Sequence, residues 1–594
     1  MQNAETVLDV IHQRGRKGLP LERLYRQLFN PQLFLLAYGR LYSNKGAMTP
    51  GVGIETVDGM SLRKIEAIIE AIRHERYRFK PVKRVHIPKK SGKKRPLGLP
   101  TWSDKLVAEV VRLLLEAYYE PQFSDHSHGF RPGRGCHTAL SEIVEVWKGT
   151  HWFIEGDISD CFGSLDHQVM LDTLAEKIHD NRFLRLIEAM LQAGYLQDWR
   201  WNATLSGVPQ GGIASPILSN IYLHHLDSFV ETVLLPEFNR GDRRALNPAY
   251  QKIEHAIQRA RRHGDRDAVR RLRKQRRRHP SQDPNDPDYR RLRYVRYADD
   301  WLLGFAGPRA EAEQIKQRVK TFLRDDLELE LSETKTLITH ARTGRARFLG
   351  YEITAQHNDA KITRGRRAVN GAIGLRVPRD AIESKCALYM RRGEPAQRPQ
   401  MLHDDDFTIV SKYGAEYRGY VQYYLLAADV YKLNKLRWVM ETSMLKTLAG
   451  KHRSSVSKMA HRYKAKTATP HGLRTCFEVI VNRDGGKEPL VARFGGIPLH
   501  RQRTATLNDQ APSLRINRGN ELIHRLLAGG CEVCKTTEDI EVHHIRKLAD
   551  LNKPGRRERP AWIRLMAMRR RKTLVVCRAC HEAIHAGRPT ATTE

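Results

Sequence analysis

The sequence has few cysteines, a shortage of acidic residues and no long hydrophobic run. No stretch approaches the roughly 18 to 20 uncharged apolar residues that cross a membrane. The first 18 residues mix acidic and basic side chains, unlike a cleaved targeting segment. We therefore expect a cytoplasmic protein that does not contact a membrane.

Acidic residues are scarce relative to basic ones. The 67 Asp and Glu face 102 Lys and Arg, which gives a net charge of +35 and an isoelectric point near 10.0. An excess this large is hard to explain as a solubilising surface, and it favours a polyanionic partner, nucleic acid above all. At 40% hydrophobic residues, a chain this long predicts two to four domains, because single cores stop growing at roughly 250 to 300 residues.

The pattern along the chain predicts a multidomain α+β protein. Residues 1–80 are predicted to be a helical extension, with apolar residues at helical spacing after Ser61. Residues 81–360 alternate short β-like runs with helices, 361–475 is helical, and 521–594 is a small metal-bound domain. Gly, Pro and polar residues between them make 476–520 a connector or DNA-binding segment.

A basic insertion at about 235–292 interrupts the α+β region. Residues 241–280 contain 14 Lys and Arg against 4 Asp and Glu. A solvated helix with surface charge is one interpretation; RNA binding is the other, because like charges this dense repel one another unless an anion is present. The candidate RNA-binding residues are Arg270, Arg271, Arg273, Lys274, Arg276, Arg277 and Arg278.

An aromatic stripe follows in the helical region. Its members recur at helical steps and are Tyr413, Tyr417, Tyr420, Tyr424, Tyr431 and Trp438. Packing in a helical bundle is one interpretation, and a stacking platform for RNA is the other.

Three carboxylates end apolar runs that read as strands. Asp157 closes one run, while Asp299 and Asp300 lie inside a hairpin-like one. Two adjacent acids are costly there unless a cation or a turn accepts them. Nucleotide addition to a growing strand needs two divalent ions held by hard oxygen ligands. The three acids fit such a site, but an adjacent Asp pair alone is also an ordinary turn, and the surrounding motifs must decide between the two.

The motifs around these carboxylates resemble, in order and over nearly the whole chain, the reverse transcriptases encoded by bacterial group II introns. The matching segments are Lys89–Thr101 (KKSGKKRPLGLPT), His128–Arg134 (HGFRPGR), Glu155–Phe162 (EGDISDCF), Ser206–Pro216 (SGVPQGGIASP), Tyr297–Asp300 (YADD), Leu331–Lys335 (LSETK) and Phe348–Tyr351 (FLGY). The resemblance implies a right-hand polymerase with fingers, an antiparallel palm sheet and an α-helical thumb and maturase region, acting in a prokaryotic cytoplasm.

The resemblance also implies roles for single residues. Asp157, Asp299 and Asp300 would be catalytic and hold Mg²⁺. Phe162 would exclude ribonucleotides by pressing against the sugar. The residues expected to contact the incoming deoxynucleotide are Arg95, Lys89, Phe162, Gln210, Gly211 and Lys335.

Two C-x2-C pairs near the C-terminus predict a structural zinc site rather than a disulfide framework. Cys531 and Cys534 form one pair, Cys577 and Cys580 the other, and four thiolates can close a tetrahedral zinc site. The four remaining cysteines are scattered.

Histidines beside these pairs resemble HNH nucleases, which have a ββα-metal fold. The resemblance implies that His544 is the general base and that His543, His581 and His585 hold one divalent ion. Thr573 stands about where that family often has Asn, which leaves the geometry of His544 in question.

His581–His585 also reads as H-E-x-x-H, a zinc-protease signature. A protease needs a third ligand downstream, and only nine residues follow, none of them histidine. The interpretation that best accommodates all motifs is a nuclease.

Together the motifs predict a group II intron-encoded reverse transcriptase and maturase. Such a protein would bind its intron RNA as a lariat ribonucleoprotein, assist splicing, nick target DNA and copy the RNA into DNA from the nick, using dNTPs. Two alternatives remain: an RNA-binding splicing cofactor with vestigial sites, and a domesticated or defence-associated reverse transcriptase. The sequence does not predict an oligomeric state.

Overall fold

The computed structural model describes residues 3–44, 46–88, 92, 94–197, 200–204, 206–208, 212–362, 369–483, 488–507, 521–548, 551, 560–569, 571–588 and 590. The chain begins with three helices, α1 (Ala4–Arg16), α2 (Pro31–Leu41) and α3 (Leu62–Arg73). The predicted start of α3 is confirmed, because Ser61 is its N-cap and its hydroxyl accepts from the Lys64 N–H at 3.2 Å. The apolar face of α3 is buried in the core.

Strands and helices alternate in the next 150 residues. In chain order they are β1 (Val82–Pro88), β2 (Lys94–Leu99), α4 (Trp102–Tyr119), α5 (Cys136–Val146), β3 (Trp152–Asp157), α6 (Cys161–Ser164), α7 (His167–Ala175), α8 (Asn181–Leu191), β4 (Tyr195–Gln197), β5 (Arg200–Asn202) and α9 (Ser215–Phe229). One sheet has the order β2-β1-β4-β5. The helix α4 is almost wholly buried and packs against α1, α2 and α9.

The elements that follow complete a second sheet. They are α10 (Leu235–Phe238), α11 (Pro248–Arg262), α12 (Arg266–Arg276), β6 (Arg291–Tyr297), β7 (Asp300–Ala306), α13 (Arg309–Leu327), β8 (Leu337–His340), β9 (Ala346–Phe348) and β10 (Tyr351–Ala355). Four of the strands form an antiparallel sheet in the order β6-β7-β3-β8, here called the carboxylate sheet. The predicted hairpin and the predicted strand ending at Asp157 are both confirmed as β6–β7 and β3.

Helices dominate after β10. The elements are β11 (Ile373–Arg376), α14 (Arg379–Ala387), β12 (Met390–Arg391), β13 (Glu394–Pro395), α15 (Asp406–Tyr423), α16 (Asn434–Lys451), α17 (Val456–Tyr463), β14 (Lys464–Thr469), β15 (Gly472–Val481) and β16 (Leu490–Gly495). The last three strands form an antiparallel sheet whose Arg493 carbonyl abuts Gly414 of α15, where a Cβ would lie 2.1 Å from that oxygen. The expected connector boundary at 476 therefore falls inside a strand, because pairing with β14 and packing on α15 organise a segment whose composition predicts a linker.

The described part of the C-terminus is a small ββα unit. It comprises α18 (Glu521–Leu527), β17 (Ile540–His544), α19 (Ala561–Arg569), β18 (Thr573–Cys577) and α20 (Arg578–His585). Residues 521–590 are here called the C-terminal unit. The strands pair antiparallel, with His544 opposite Thr573 and Ile540 opposite Cys577.

The carboxylate sheet lies between two hydrophobic cores. Ile154 and Leu303 belong to the core shared with the N-terminal helices, while Phe153 and Leu302 belong to the core shared with α14–α17. The alternation of faces along a strand produces this division. The first core also takes in Val542 and Val575, so the C-terminal unit packs directly on the N-terminal region.

Candidate polymerase, nuclease and metal sites

The three predicted carboxylates meet at one end of the carboxylate sheet. Asp157 is the last residue of β3 and is the pairing partner of Asp300, the first residue of β7. Asp299 lies in the two-residue turn that joins β6 to β7, where Ala298 has a φ of 55°. Two-residue hairpin turns require such a positive φ, so the hairpin itself presents the acids.

Two further features hold this turn in place. Gly129 lies against it so closely that a Cβ there would be 2.3 Å from the Ala298 nitrogen. Beneath the turn, the guanidinium of Arg296 donates to both carboxylate oxygens of Asp227, at 2.7 and 2.6 Å, and to the Ala298 carbonyl at 2.9 Å. Both side chains of the ion pair are fully buried. This ion pair anchors the catalytic turn, and no sequence motif predicts it.

The electrostatics of the carboxylate group favour a cation. Burial and then the neighbouring Asp299 and Asp157 raise the pKa of Asp300 to about 7. Burial raises the pKa of Asp299 as well, against the opposing influence of Lys335 and Arg95. Lys335 Nζ donates to Asp157 Oδ2 at 2.7 Å. Mutually repelling carboxylates of this kind are suited to hard divalent ions such as Mg²⁺.

The predicted sugar gate lies beside the carboxylates. Phe162 follows β3 on α6, and its ring meets that of Phe130 edge to face, with centroids 6.2 Å apart. The backbone of the glycine-containing loop is bonded to this turn: Val208 N–H donates to the Phe162 carbonyl at 2.7 Å. Gly207 has a φ of 86° and leaves no room for a Cβ against Gly163.

Not all predicted nucleotide contacts can be located. Arg95 lies on β2 and is exposed, and its charge acts on Asp299. Lys89, Gln210 and Gly211 lie outside the described residues.

The four predicted zinc ligands converge. The sulfur atoms of Cys531, Cys534, Cys577 and Cys580 lie within 4.8 Å of one another. Backbone N–H groups donate to two of them, from Cys534 to Cys531 Sγ at 3.4 Å and from Cys580 to Cys577 Sγ at 3.5 Å. Burial opposes ionisation of Cys531, but hydrogen bonds from the backbone of Cys534, Cys577 and Val533 bring its pKa down to about 7. Thiolates held in this way fit a tetrahedral zinc ion.

The predicted histidine ligands also converge, together with one unpredicted residue. Asp58, His543, His581 and His585 have ligand atoms within 4.8 Å of one another. His543 is on β17, while His581 and His585 lie one turn apart on the same face of α20. Asp58 comes from the loop before α3. Burial alone would raise the pKa of Asp58, but hydrogen bonds from the histidines lower it well below its usual range.

A second acid orients one of the histidines. Glu541 Oε2 is 2.8 Å from His581 Nδ1, which leaves His581 Nε2 facing Asp58 at 3.2 Å. A carboxylate behind a histidine commonly fixes the tautomer of a metal ligand. Glu541 and His543 are two residues apart on β17, so strand alternation is the signal that could have revealed Glu541.

The candidate base is enclosed by the N-terminal helices. His544 is buried, and its Nε2 lies 2.9 Å from the hydroxyl of Tyr38 on α2. Burial lowers its pKa to about 3. Opposite it on β18, the hydroxyl of Thr573 accepts from Arg525 at 3.3 Å.

The basic insertion is a helical hairpin of α11 and α12. No residue of α12 is buried. Arg276 forms an ion pair with Glu254 of α11, whereas Arg273, Lys274 and Arg277 are exposed. The stem is closed by backbone hydrogen bonds in both directions between Arg240 and Arg290, at 3.1 and 3.0 Å.

The aromatic stripe divides into two groups. Tyr413, Tyr417 and Tyr424 are buried in the second core, as the packing interpretation predicts. Tyr420 is half-buried against the same core, whereas Tyr431 and Trp438 are 60% and 57% exposed and are the two members best placed to stack with an external ring.

Comparisons with known proteins match three families to successive parts of the chain. A family described as reverse transcriptase (RNA-dependent DNA polymerase) matches residues 87–353, type II intron maturase matches 381–478, and AI2M/AI1M-like HNH endonuclease matches 531–581. The protein is therefore a reverse transcriptase that also carries maturase and HNH endonuclease domains.

Two relatives extend the match to the whole chain. The group II intron-encoded protein LtrA of Lactococcus lactis subsp. cremoris is 37% identical over 98% of this chain and 99% of its own length. An uncharacterized 91 kDa protein in the cob intron of Schizosaccharomyces pombe is 34% identical over 99% of this chain and 73% of its own. The chain belongs to the group II intron-encoded proteins, and it is an RNA-directed DNA polymerase and endonuclease.

Within the described residues, no helix combines the length and the apolar character needed to cross a membrane.

Proposed function

We propose that the protein copies its own intron RNA into DNA at a nick that it makes in the target, with the carboxylate sheet as the palm. The observation that carries this is the meeting of Asp157, Asp299 and Asp300 at the turn between β6 and β7. Two Mg²⁺ ions held there would activate the primer hydroxyl and stabilise the leaving group. The β1–β2 hairpin would be part of the fingers, and α14–α17 the thumb and maturase region.

Cations around the carboxylates would bind the incoming deoxynucleotide. Arg95 is exposed on β2 and acts electrostatically on Asp299, so its planar guanidinium suits the triphosphate. Lys335 is bonded to Asp157 and balances the acids on the other side. Lys89, Gln210 and Gly211 are assigned to the same task by the motif alone.

Substitution of the catalytic pair tests the polymerase assignment. Asp299→Ala with Asp300→Ala should abolish primer extension, because the site loses two of its three carboxylates, and should leave RNA binding within a few-fold. The exposed Asp9, changed to Ala, is the control for loss of an acid. Mg²⁺-dependent extension by the double variant would overturn the assignment.

The exposed hairpin α11–α12 and the maturase region would bind the intron RNA. Arg273, Lys274 and Arg277 are exposed, and among the described residues no ion pair neutralises their charge, which favours binding of a polyanion. Tyr431 and Trp438 are exposed on the maturase region and offer rings for stacking. Binding across both surfaces would support splicing and present the template to the palm.

The C-terminal unit would nick the target DNA and so supply a primer. His543, His581 and His585 would hold one divalent ion and His544 would accept the proton of the attacking water, while the four cysteines would hold structural zinc. An ion in this position stabilises charge on the scissile phosphate. His543→Ala should abolish nicking, while extension of a supplied primer continues because the palm has its own carboxylates. Nicking at the wild-type rate in His543→Ala would contradict the site.

A further inference from the structure

The loop before α3 adds a short strand to the edge of the C-terminal unit. Gly59 N–H donates to the Val542 carbonyl at 3.0 Å, and Val542 N–H donates to the Met60 carbonyl at 2.9 Å. Residues 60 and 542 therefore pair as in an antiparallel sheet. Gly59 has a φ of 75°, a conformation that glycine adopts readily, and this turn directs the preceding side chain, that of Asp58, onto the histidine face.

The carboxylate of Asp58 sits among the proposed metal ligands. Its Oδ2 is 2.7 Å from His585 Nε2, and its Oδ1 is 3.2 Å from His581 Nε2 and 3.4 Å from His543 Nδ1. The same Oδ1 accepts from the backbone N–H of His544 at 2.7 Å. Only 13% of the side chain is exposed. Among the described residues, the hydrogen bonds of this carboxylate go to the C-terminal unit.

One ion could contact all four side chains, because their ligand atoms lie within 4.8 Å of one another. Bonds of about 2.0 to 2.1 Å in a tetrahedron separate neighbouring ligand atoms by about 3.3 Å. The distances from the two Asp58 oxygens to the three imidazoles run from 2.7 to 3.4 Å, and the Nε2 atoms of His581 and His585 are 3.2 Å apart. Three imidazoles and one carboxylate form a closed set of four, whereas catalytic zinc sites keep a position open for water or substrate.

The proposed base is closed off by the same docking. The Tyr38 hydroxyl lies on His544 Nε2, and the rings of Tyr38 and Tyr42 both lie 6.2 Å from the His544 ring. A DNA backbone could not reach this histidine while α2 covers it. Both halves of the proposed nuclease site, ion and base, are thus blocked by the N-terminal region.

We propose that Asp58 is the fourth ligand of the HNH ion and that the docked C-terminal unit is an inactive, closed form of the nuclease. The proposal rests on the HNH site proposed above. A carboxylate and a phosphodiester are both anionic oxygen ligands, so target DNA must displace Asp58 to be cut. Release of residues 38–60 from the C-terminal unit would therefore precede nicking.

The test compares full-length Asp58→Ala with the wild type, each purified with its RNA and zinc. Co²⁺ serves as the probe ion. The part of its absorption spectrum that disappears in His543→Ala is assigned to the histidine site. We expect Asp58→Ala to weaken Co²⁺ binding by at least about tenfold, since even indirect supporting residues contribute 10- to 100-fold. Amide exchange at Gly59 and Val542 should accelerate. The exposed Glu66, changed to Ala, is the control and should alter neither measurement.

Nicking is measured on a supercoiled plasmid that carries the junction into which the intron inserts, at saturating divalent ion. If the docked form is favoured tenfold over the released form, only about a tenth of the molecules can cut DNA at any time. Asp58→Ala should therefore raise the nicking rate by about tenfold. Tyr38→Phe should also raise nicking, and it should weaken Co²⁺ binding less than Asp58→Ala does, because Asp58 remains available as a ligand. Adding His543→Ala to Asp58→Ala should abolish the gain.

Three results would overturn the proposal: unchanged Co²⁺ affinity in Asp58→Ala, unchanged amide exchange, or nicking at or below the wild-type rate. Nicking reduced to the level of His543→Ala would make Asp58 a ligand that catalysis needs. Absence of nicking in every protein, the wild type included, would refute the nuclease function itself, while Co²⁺ binding and exchange would still decide the role of Asp58.

Discussion

Removing the negative charge of Asp227 beneath the turn between β6 and β7 should strongly destabilise the carboxylate sheet, although the substitution changes few atoms. Asp227→Asn keeps the shape of the side chain but leaves the Arg296 guanidinium buried without a counter-charge. Both side chains are fully buried, and Asp227 accepts two hydrogen bonds from Arg296 and one from Tyr294 at 2.8 Å. Breaking a buried pair in this way costs about 3 to 5 kcal/mol.

The magnitude can be read from hydrogen exchange, because a chain with several domains has no single free energy of unfolding. At about 1.4 kcal/mol per tenfold, exchange of the β6 and β7 amides should accelerate by about two to four orders of magnitude. Primer extension should fall with it, since Arg296 also donates to the Ala298 carbonyl in the turn.

Two comparisons make this prediction specific. Glu313→Gln breaks the ion pair between Arg309 and Glu313, whose side chains are 65% and 55% exposed respectively. This substitution should lower stability by only about 0 to 1 kcal/mol. Replacing Asp227 and Arg296 together by Leu and Met should cost less than Asp227→Asn, because no unpaired charge is left. If Asp227→Asn accelerates exchange no more than Glu313→Gln, the ion pair does not anchor the turn.

Three further perturbations address other sites. Phe162→Ala should raise incorporation of ribonucleotides relative to deoxynucleotides in primer extension, and an unchanged ratio would show that another group is the gate. Changing Arg273, Lys274 and Arg277 to Gln should flatten the dependence of log K for RNA on log salt by about 2 to 3, at about 0.7 to 0.9 per lost phosphate contact; an unaltered slope would favour a solvated surface. Cys531→Ser should release zinc and unfold the C-terminal unit, because structural zinc contributes about 10 to 16 kcal/mol, while extension of a supplied primer continues. Retained zinc by metal analysis would contradict the four-cysteine site.

The convergence of Asp157, Asp299 and Asp300 could be predicted because local chemistry marks these residues. Asp157 ends a run that is apolar on both faces, and Asp299–Asp300 interrupt another, so strand ends rich in acid are visible in the sequence itself. The two cysteine pairs could be predicted for the same reason, since the two cysteines of each pair are only three residues apart in the sequence. In these cases the residues that act together are recognisable from spacing before the fold is known.

Asp58 could not be predicted, because nothing local distinguishes it. It lies between Val57 and Gly59 in a loop, and its partners are more than 480 residues away along the chain, at His543, His581 and His585. Only the packing of Val542 and Val575 into the N-terminal core brings them together. The buried role of Asp227 could not be predicted for a similar reason, since an acidic residue on a helix usually faces solvent.

Composition predicts a connector after residue 476, where the structure has strands that are held by partners distant in the sequence. The segment after 476 is rich in Gly and polar residues, which predicts a connector, yet Cys476 and Phe477 pair with Gly495 and Phe494. One face of this sheet packs on α15, and Phe494 is fully buried. Burial against another element, which composition does not report, decided the outcome. The remaining domain boundaries stay predictions.

The backbone hydrogen bonds between Arg240 and Arg290 close the stem of the hairpin α11–α12. The segment between these two residues can therefore change in length at little cost in folding free energy. The residues on either side of the stem are already held together by two backbone hydrogen bonds, so β6 enters the carboxylate sheet from the same point whatever lies between them. Loop-closure entropy grows only slowly with length, by about 0.6 kcal/mol per doubling. Variants of this protein could therefore lengthen, shorten or exchange the hairpin α11–α12 and acquire a different RNA preference while the position of Asp299 and Asp300 stays the same.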